Sequence, residues 1–229
     1  HRIYPNSFGL KKYMIDTRLS SSTKMKVLVN GSSNGVDVSH FSKEHFPKEA
    51  NSTLKKQLNI DTSDFIFLFI GRLVGDKGIN ELIEAFSNLN DEDQKIKLLL
   101  VGTFEKELDA LKKETMQKIK NNPQIILVGY QEEVRPYFAI ASCFVFPSYR
   151  EGFPNVVLEA ASMELPCIVS DINGSNEIIM DQINGIIIPK KDTKALQEAM
   201  FCMKDDTNQR QFYAANSRKG IAEKFSKQI

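Results

Sequence analysis

Two glutamates, Glu151 and Glu159, are separated by seven residues within the stretch SYREGFPNVVLEAASMELPCIVS, residues 148–170. The stretch reads as a polar loop, a helix and a buried strand. Glu151 belongs to the loop, and Glu159 falls two turns into an apolar run made by Val156, Val157, Leu158, Ala160, Ala161 and Met163. Between them, Gly152, Phe153, Pro154 and Asn155 let backbone approach a ligand closely, and the Pro and Asn suit the start of a helix. A helix beginning there aims its free N–H groups and its positive dipole end into the loop, which makes an anion site. The two carboxylates can then hold hydroxyls at different points of one extended ligand. Taken singly, each Glu also fits a plainer role, as an exposed loop charge or a solvated helix position.

A second loop, Gly71-Arg72-Leu73-Val74-Gly75-Asp76-Lys77-Gly78, follows the apolar run 65–70. It fails two familiar phosphate motifs. The Walker pattern needs G-x-x-x-x-G-K-[ST], whereas here Gly follows Lys77, and G-x-G-x-x-G is absent. What remains is an arginine and a lysine among three glycines. A guanidinium fork plus an ammonium point charge suits a diphosphate. Two cations after one strand and two carboxylates after another describe a ligand with a diphosphate in the middle and hydroxyl-rich groups at both ends. A nucleoside diphosphate sugar has that shape.

These loops need a scaffold that brings them together. The run 65–70, FIFLFI, predicts a strand buried on both faces of a parallel sheet. Further strands are expected at 98–101, 125–128, 143–146, 167–170 and 185–188. Helices are expected at 79–89, 105–120 (marked by Leu108, Leu111 and Ile119), 132–141, from about 154, 175–180, 192–203 and 206–225. Upstream, a strand-like start leads into a helix from about Phe8 to Leu19, a serine-rich linker at 20–23 and a strand at 26–29. The turn-rich loop 30–35 follows. Strands alternating with helices indicate right-handed crossovers and an α/β fold with a doubly wound parallel sheet. In such sheets ligands bind beyond the carboxyl ends of the strands, so the loops after Ile70, Val128, Phe146 and Ser170 should meet at one edge.

Composition narrows the class. The chain has 229 residues, 41% of them hydrophobic, and 30 basic against 29 acidic residues give a net charge of +1. No global field draws it to nucleic acid. Cys143, Cys167 and Cys202 are widely spaced among apolar residues and read as reduced, buried thiols; with His1, His40 and His45 they make no metal-ligand spacing. No run is apolar and long enough to span a bilayer, and no signal peptide is recognisable. The strand-like opening without Met reads as part of a longer protein. Basic residues scattered through the tail (Arg210, Arg218, Lys219, Lys224, Lys227) fit a solvated helix face better than a lipid contact.

The segments FLFIGRLVGDKGINELIEAF, LLLVG, ILVGY, FVFPSYREGFPNVVLEAASMELPCIVSDINGSNEII and NGIIIP together resemble the C-terminal donor-binding domain of family 4 (group 1) glycosyltransferases, retaining enzymes of the GT-B fold. The spacing of Glu151 and Glu159 matches that family's E-x7-E motif. The resemblance implies a Rossmann-like donor domain at 41–229, a hinge at 26–40, and the last strand and helix of an N-terminal acceptor domain at 1–25. It assigns Arg72 and Lys77 to the diphosphate, Glu151 to the donor sugar and Glu159 to the ribose. Arg72, Lys77 and Glu151 would be the catalytic groups. Gly71 and the backbone of Gly152, Phe153, Pro154, Asn155 and Val156 would line the sugar and phosphate, and Tyr130 and Gln131 would meet the base. No metal or other cofactor is implied; the donor is itself the nucleotide, with a UDP-linked hexose or N-acetylhexosamine favoured. The acceptor would be a glycan or a lipid-linked sugar in O-antigen or capsule synthesis, reached through the rest of the N-terminal domain. That places the enzyme in the cytoplasm, with peripheral contact at the inner membrane face left open, and the fragment by itself should transfer nothing. Two alternatives share parts of this pattern. Sugar-nucleotide epimerases of the same fold usually lack the Gly-Arg-x4-Lys-Gly loop. A flavodoxin-like receiver module would want an acidic residue where Gly71 and Arg72 stand.

Overall fold

The computed structural model describes residues 2–32, 34–90 and 95–227. Six strands, β1 (Phe65–Ile70), β2 (Ile96–Val101), β3 (Ile125–Gly129), β4 (Cys143–Phe146), β5 (Cys167–Ser170) and β6 (Gly185–Ile188), form one sheet. Its order is β3-β2-β1-β4-β5-β6 and every pairing is parallel. The helices are α1 (Phe8–Asp16), α2 (Lys48–Gln57), α3 (Ile79–Asn90), α4 (Lys106–Asp109), α5 (Lys113–Asn121), α6 (Arg135–Ile140), α7 (Asn155–Ser162), α8 (Ser175–Ile178), α9 (Thr193–Asp205) and α10 (Thr207–Phe225). This is the doubly wound α/β arrangement expected from the alternating pattern.

The apolar runs account for the layers. Ile66, Phe67, Leu68 and Phe69 of β1 are wholly buried, as a strand covered on both faces must be. The one charge in β2, Lys97, is neutralised by Asp64 at 3.1 Å. Leu82, Ile83, Phe86 and Leu89 form the buried stripe of α3, which packs on α9. On the other side of the chain reversal, α7 packs on α10. Two tail arginines act as braces. Arg218 donates to the carbonyls of Val38, Phe41 and Ser162 at 2.6–2.8 Å, and Arg210 donates to those of Met203 and Lys204 while its guanidinium lies 5.0 Å from the Phe65 ring centroid. The chain also enters and leaves this domain side by side. Val36 N donates to Phe225 O at 2.9 Å, Lys227 N to Val36 O at 2.8 Å, and the Asn30 amide reaches Lys224 O at 2.9 Å.

Several expectations need correction. The strand at 26–29 does not form: Ile3 and Met25 make a single bridge, while Leu28 and Val29 are exposed and Val29 takes a positive φ. The first helix stops at Asp16 rather than Leu19 and buries none of its residues, Tyr13 being exposed. The helix expected at 105–120 breaks into α4 and α5 at residues 110–112. The side chain of Leu108, His1 and the Ser33 position of the turn-rich loop lie outside the described residues. α2 has no counterpart in the periodicity of the sequence. Cys143 and Cys167 are buried as expected, but Cys202 is exposed on α9.

The reversal between β1 and β4 brings two loops close together. Gly78 has φ +71°, and a Cβ there would lie 2.1 Å from the Pro147 carbonyl oxygen. Gly78→Ala should therefore cost about 2 kcal/mol. That corresponds to a fall in Tm of roughly 4–8 °C in a chain of this size. A thermal melt indistinguishable from wild type would mean that the loops do not approach this closely.

Candidate functional site

The sheet order reverses between β1 and β4, and the loops leaving these two strands frame the crevice that such a reversal creates. The first loop ends in a 3-10 turn at Gly75–Lys77. The second is pinned to it through one carbonyl: Tyr149 N donates to Asp76 O at 2.8 Å, and the Ser148 hydroxyl oxygen lies 3.3 Å from the same atom. Arg150 adds an ion pair to Asp76 at 3.3 Å. Across this seam the Lys77 ammonium bonds Glu151 Oε1, with only 14% and 16% of the two side chains exposed. The fully buried Ser148 donates to that same carboxylate oxygen at 2.8 Å. The lysine also lies 5.8 Å from the Phe146 ring centroid. A charge pair this sheltered is costly to break from one side only, because the remaining charge loses its partner away from bulk water.

Arg72 faces a different part of the edge. Its Nη1 bonds Glu105 Oε2 at 2.9 Å, with 46% and 32% of the side chains exposed. So wet a pair is readily exchanged for a better anion. Arg72 lines a cavity of about 240 Å³ together with Gly71, Thr103, Tyr130, Gln131 and Val134, which gathers the ends of β1, β2 and β3. Tyr130 stands at its rim, 71% exposed. Lys77 and Glu151 are thus brought into direct contact, while Arg72, Tyr130 and Gln131 share the neighbouring hollow.

The stretch after Glu151 divides by role. Gly152 is exposed and its carbonyl accepts from the Asn173 amide at 2.9 Å. The Phe153 side chain is buried against Phe225, ring centroids 5.4 Å apart, so only its backbone faces the loop. Pro154 is buried and supplies no side-chain cap to α7. The first-turn amides, from the exposed Asn155 and half-buried Val156, therefore have no capping side chain. On the same helix Glu159 is half-buried, and its carboxylate has no hydrogen-bond partner among the described residues. Burial pushes its carboxyl up to about 7. Sequence reasoning missed Ser148, Glu105 and Asp109, the last of which accepts from Asp76 N at 2.5 Å. Ser148 lay in plain view three residues before Glu151. Glu105 and Asp109 were hidden because the sequence there reads as one uninterrupted helix.

Known proteins resemble this chain in sequence over a span that includes these loops, and in fold. Residues 50–220 match the family described as glycosyl transferases group 1. The chain is 32% identical over 223 residues to the capsular polysaccharide biosynthesis glycosyltransferase CapM of Staphylococcus aureus, covering 97% of this chain and 57% of that protein. It is 30% identical over 176 residues to the UDP-Gal:alpha-D-GlcNAc-diphosphoundecaprenol alpha-1,3-galactosyltransferase of Escherichia coli, covering 76% of this chain and 44% of the other. The chain thus spans about half the length of the relatives it matches. Among solved structures, Anabaena Alr3699/HepE in complex with UDP and glucose superposes with a TM-score of 0.83 at 21% identity, over 98% of this chain and 59% of that one.

Glu159 makes a pH prediction. Between pH 4.5, its ordinary value, and about 7 the folded chain keeps a proton that the unfolded chain has released. Its contribution to stability is therefore full below pH 4.5 and is lost as pH rises through 7. Each tenfold gain in proton affinity on folding is worth about 1.4 kcal/mol. Glu159→Gln should melt several degrees above wild type at pH 8, with the gap closing toward pH 4.5. Melts that differ by the same amount at every pH would show that burial does not hold the proton.

Proposed function

The chain belongs to the group 1 glycosyl transferases, and from that premise we propose that it is the donor-binding half of a retaining hexosyltransferase using a nucleoside diphosphate sugar, UDP-linked by preference. The observation that carries this reading is the Lys77–Glu151 pair set across the switch point of the sheet, beside the uncapped start of α7. A diphosphate entering there offers Lys77 a doubly charged partner. Transfer of the ammonium from Glu151 to phosphate frees the carboxylate to accept hydroxyls of the donor sugar. Arg72 exchanges Glu105 for phosphate in the same way, and the α7 amides add dipolar attraction. As the bond from sugar to phosphate breaks, negative charge grows on the leaving nucleoside diphosphate, and cations already held in place stabilise it without reorganising. Tyr130, Gln131 and the cavity beside Gly71 receive the base. Glu159 takes the ribose, and hydroxyls donated to it favour its charged form.

The acceptor side belongs to the rest of the protein. In this reading residues 1–25 are the last strand and helix of the acceptor domain, 26–40 the hinge and 41–229 the donor domain. The exposed apolar residues Ile3, Tyr4, Phe8, Tyr13, Leu19, Leu28 and Val29 support that split, since apolar exposure concentrated in the first 29 residues suits further N-terminal structure packing there. Relatives named for capsule synthesis and for a diphosphoundecaprenol acceptor support a glycan or lipid-linked acceptor in surface polysaccharide assembly, which we place at the cytoplasmic face of a membrane as part of this proposal. No described helix is long and apolar enough to cross one. Neither a metal nor another cofactor enters this mechanism.

Calorimetric titration with UDP, GDP and ADP tests the donor assignment. One nucleotide, UDP by expectation, should bind, and Arg72→Ala and Lys77→Ala should each weaken it by about tenfold or more. Equal affinity in wild type and both variants would remove the two cations from the phosphate site.

A further inference from the structure

A cluster of polar contacts outside the crevice joins the N-terminal segment to the loop that carries Glu151. The first two amides of α1, those of Phe8 and Gly9, donate to the two oxygens of the Glu177 carboxylate at 2.8 and 2.9 Å. Ser7, fully buried, accepts from Leu10 N at 3.1 Å and donates its hydroxyl to Asn173 Oδ1 at 2.9 Å. Asn173 Nδ2 in turn donates to the carbonyls of Glu151 at 3.2 Å and Gly152 at 2.9 Å. The orientation of this amide follows from its partners: two carbonyls can only accept, so the nitrogen must face them and the oxygen must face Ser7. The approach leaves no room for a side chain at Gly9, where a Cβ would lie 2.0 Å from Asn173 Oδ1.

We propose that Asn173 is a positioning residue for the donor sugar, which ties the pose of Glu151 to the seating of α1. The proposal rests on the reading of Glu151 as the acceptor for sugar hydroxyls. The two carbonyls hold a fixed direction while Nδ2 sits between them; without that donor the peptide planes at Glu151 and Gly152 are free to turn, and the Glu151 carboxylate turns with them. Arg72 and Lys77 stand on the other loop and make no hydrogen bond to Asn173. The cost of losing Asn173 therefore falls on the sugar and spares the nucleotide. Because Ser7 and Glu177 secure the far end of the chain of contacts, the grip on the sugar depends on α1 being docked. The acidic loop is held for a sugar only when the N-terminal segment is in place.

Two variants separate the links. Asn173→Asp keeps the size and the Ser7 contact but replaces the donor by an acceptor, and Ser7→Ala removes the hydroxyl alone. In hydrogen exchange on the ligand-free 229-residue chain, peptides covering residues 150–153 should exchange about tenfold faster in Asn173→Asp and by a smaller factor in Ser7→Ala. Unchanged exchange in both folded variants overturns the coupling, whatever the ligand. Titration then assigns the role. Asn173→Asp should weaken UDP-glucose about tenfold and leave UDP within about twofold. Equal weakening of both ligands, or of neither, overturns a role in placing the sugar. A wild type that binds neither nucleotide overturns the donor reading and with it the role at the sugar, while the exchange result still decides the coupling.

Discussion

Strand β1 has β2 on one side and β4 on the other, and this reversal of chain order decides where chemistry can be placed. The helices that follow β1 and β4 pack on different partners, α3 on α9 and α7 on α10, and the loops leading into them meet at the crevice between. The backbone then closes the back of that crevice. The Asp76 carbonyl accepts from Tyr149 N, which sets the separation of the two loops. Only after that separation is fixed can Lys77 and Glu151 meet across it.

The cations of this edge are already engaged by carboxylates. Glu151 bonds Lys77, Glu105 bonds Arg72, and Asp109 accepts from the Asp76 amide in the middle of the 3-10 turn. The site is therefore electrostatically satisfied before any ligand arrives. An incoming anion replaces anions, and its affinity is a difference between two sets of charge-assisted bonds. Such a site favours ligands carrying more charge than a carboxylate, which a diphosphate does. It also stays folded when empty, because neither cation is left to repel its surroundings.

How much of this was legible depended on whether a local pattern had a local cause. β1 announced itself because burial on both faces demands an unbroken apolar run. Lys77 and Glu151 could be singled out because each stands in a loop that follows an apolar run, among glycines and just before a helix. By contrast, residues 26–29 look like a strand but have no neighbouring strand to pair with, so Leu28 and Val29 are left exposed. α2 escaped notice because Leu54 is the only large apolar residue among its ten, KEANSTLKKQ. The break between α4 and α5 is a tertiary effect: Asp109 and Glu105 are drawn to the β1 loop, and no periodicity encodes that. The link from Ser7 through Asn173 to Glu151 spans 166 positions at its first step and leaves no trace in either neighbourhood.

The backbone pairing of Val36 with Phe225 and Lys227 has a bearing on inheritance as well as on structure. Everything between these points enters and leaves through one doorway, with both strands of the threshold hydrogen-bonded to each other. A unit closed in this way can be lifted out and joined elsewhere through two adjacent ends, without stretching either flank. Recombination at that doorway would carry the crevice between β1 and β4 as a cassette. The part that would have to be refitted after such an exchange is small: the few residues by which α1 meets Asn173 and Glu177.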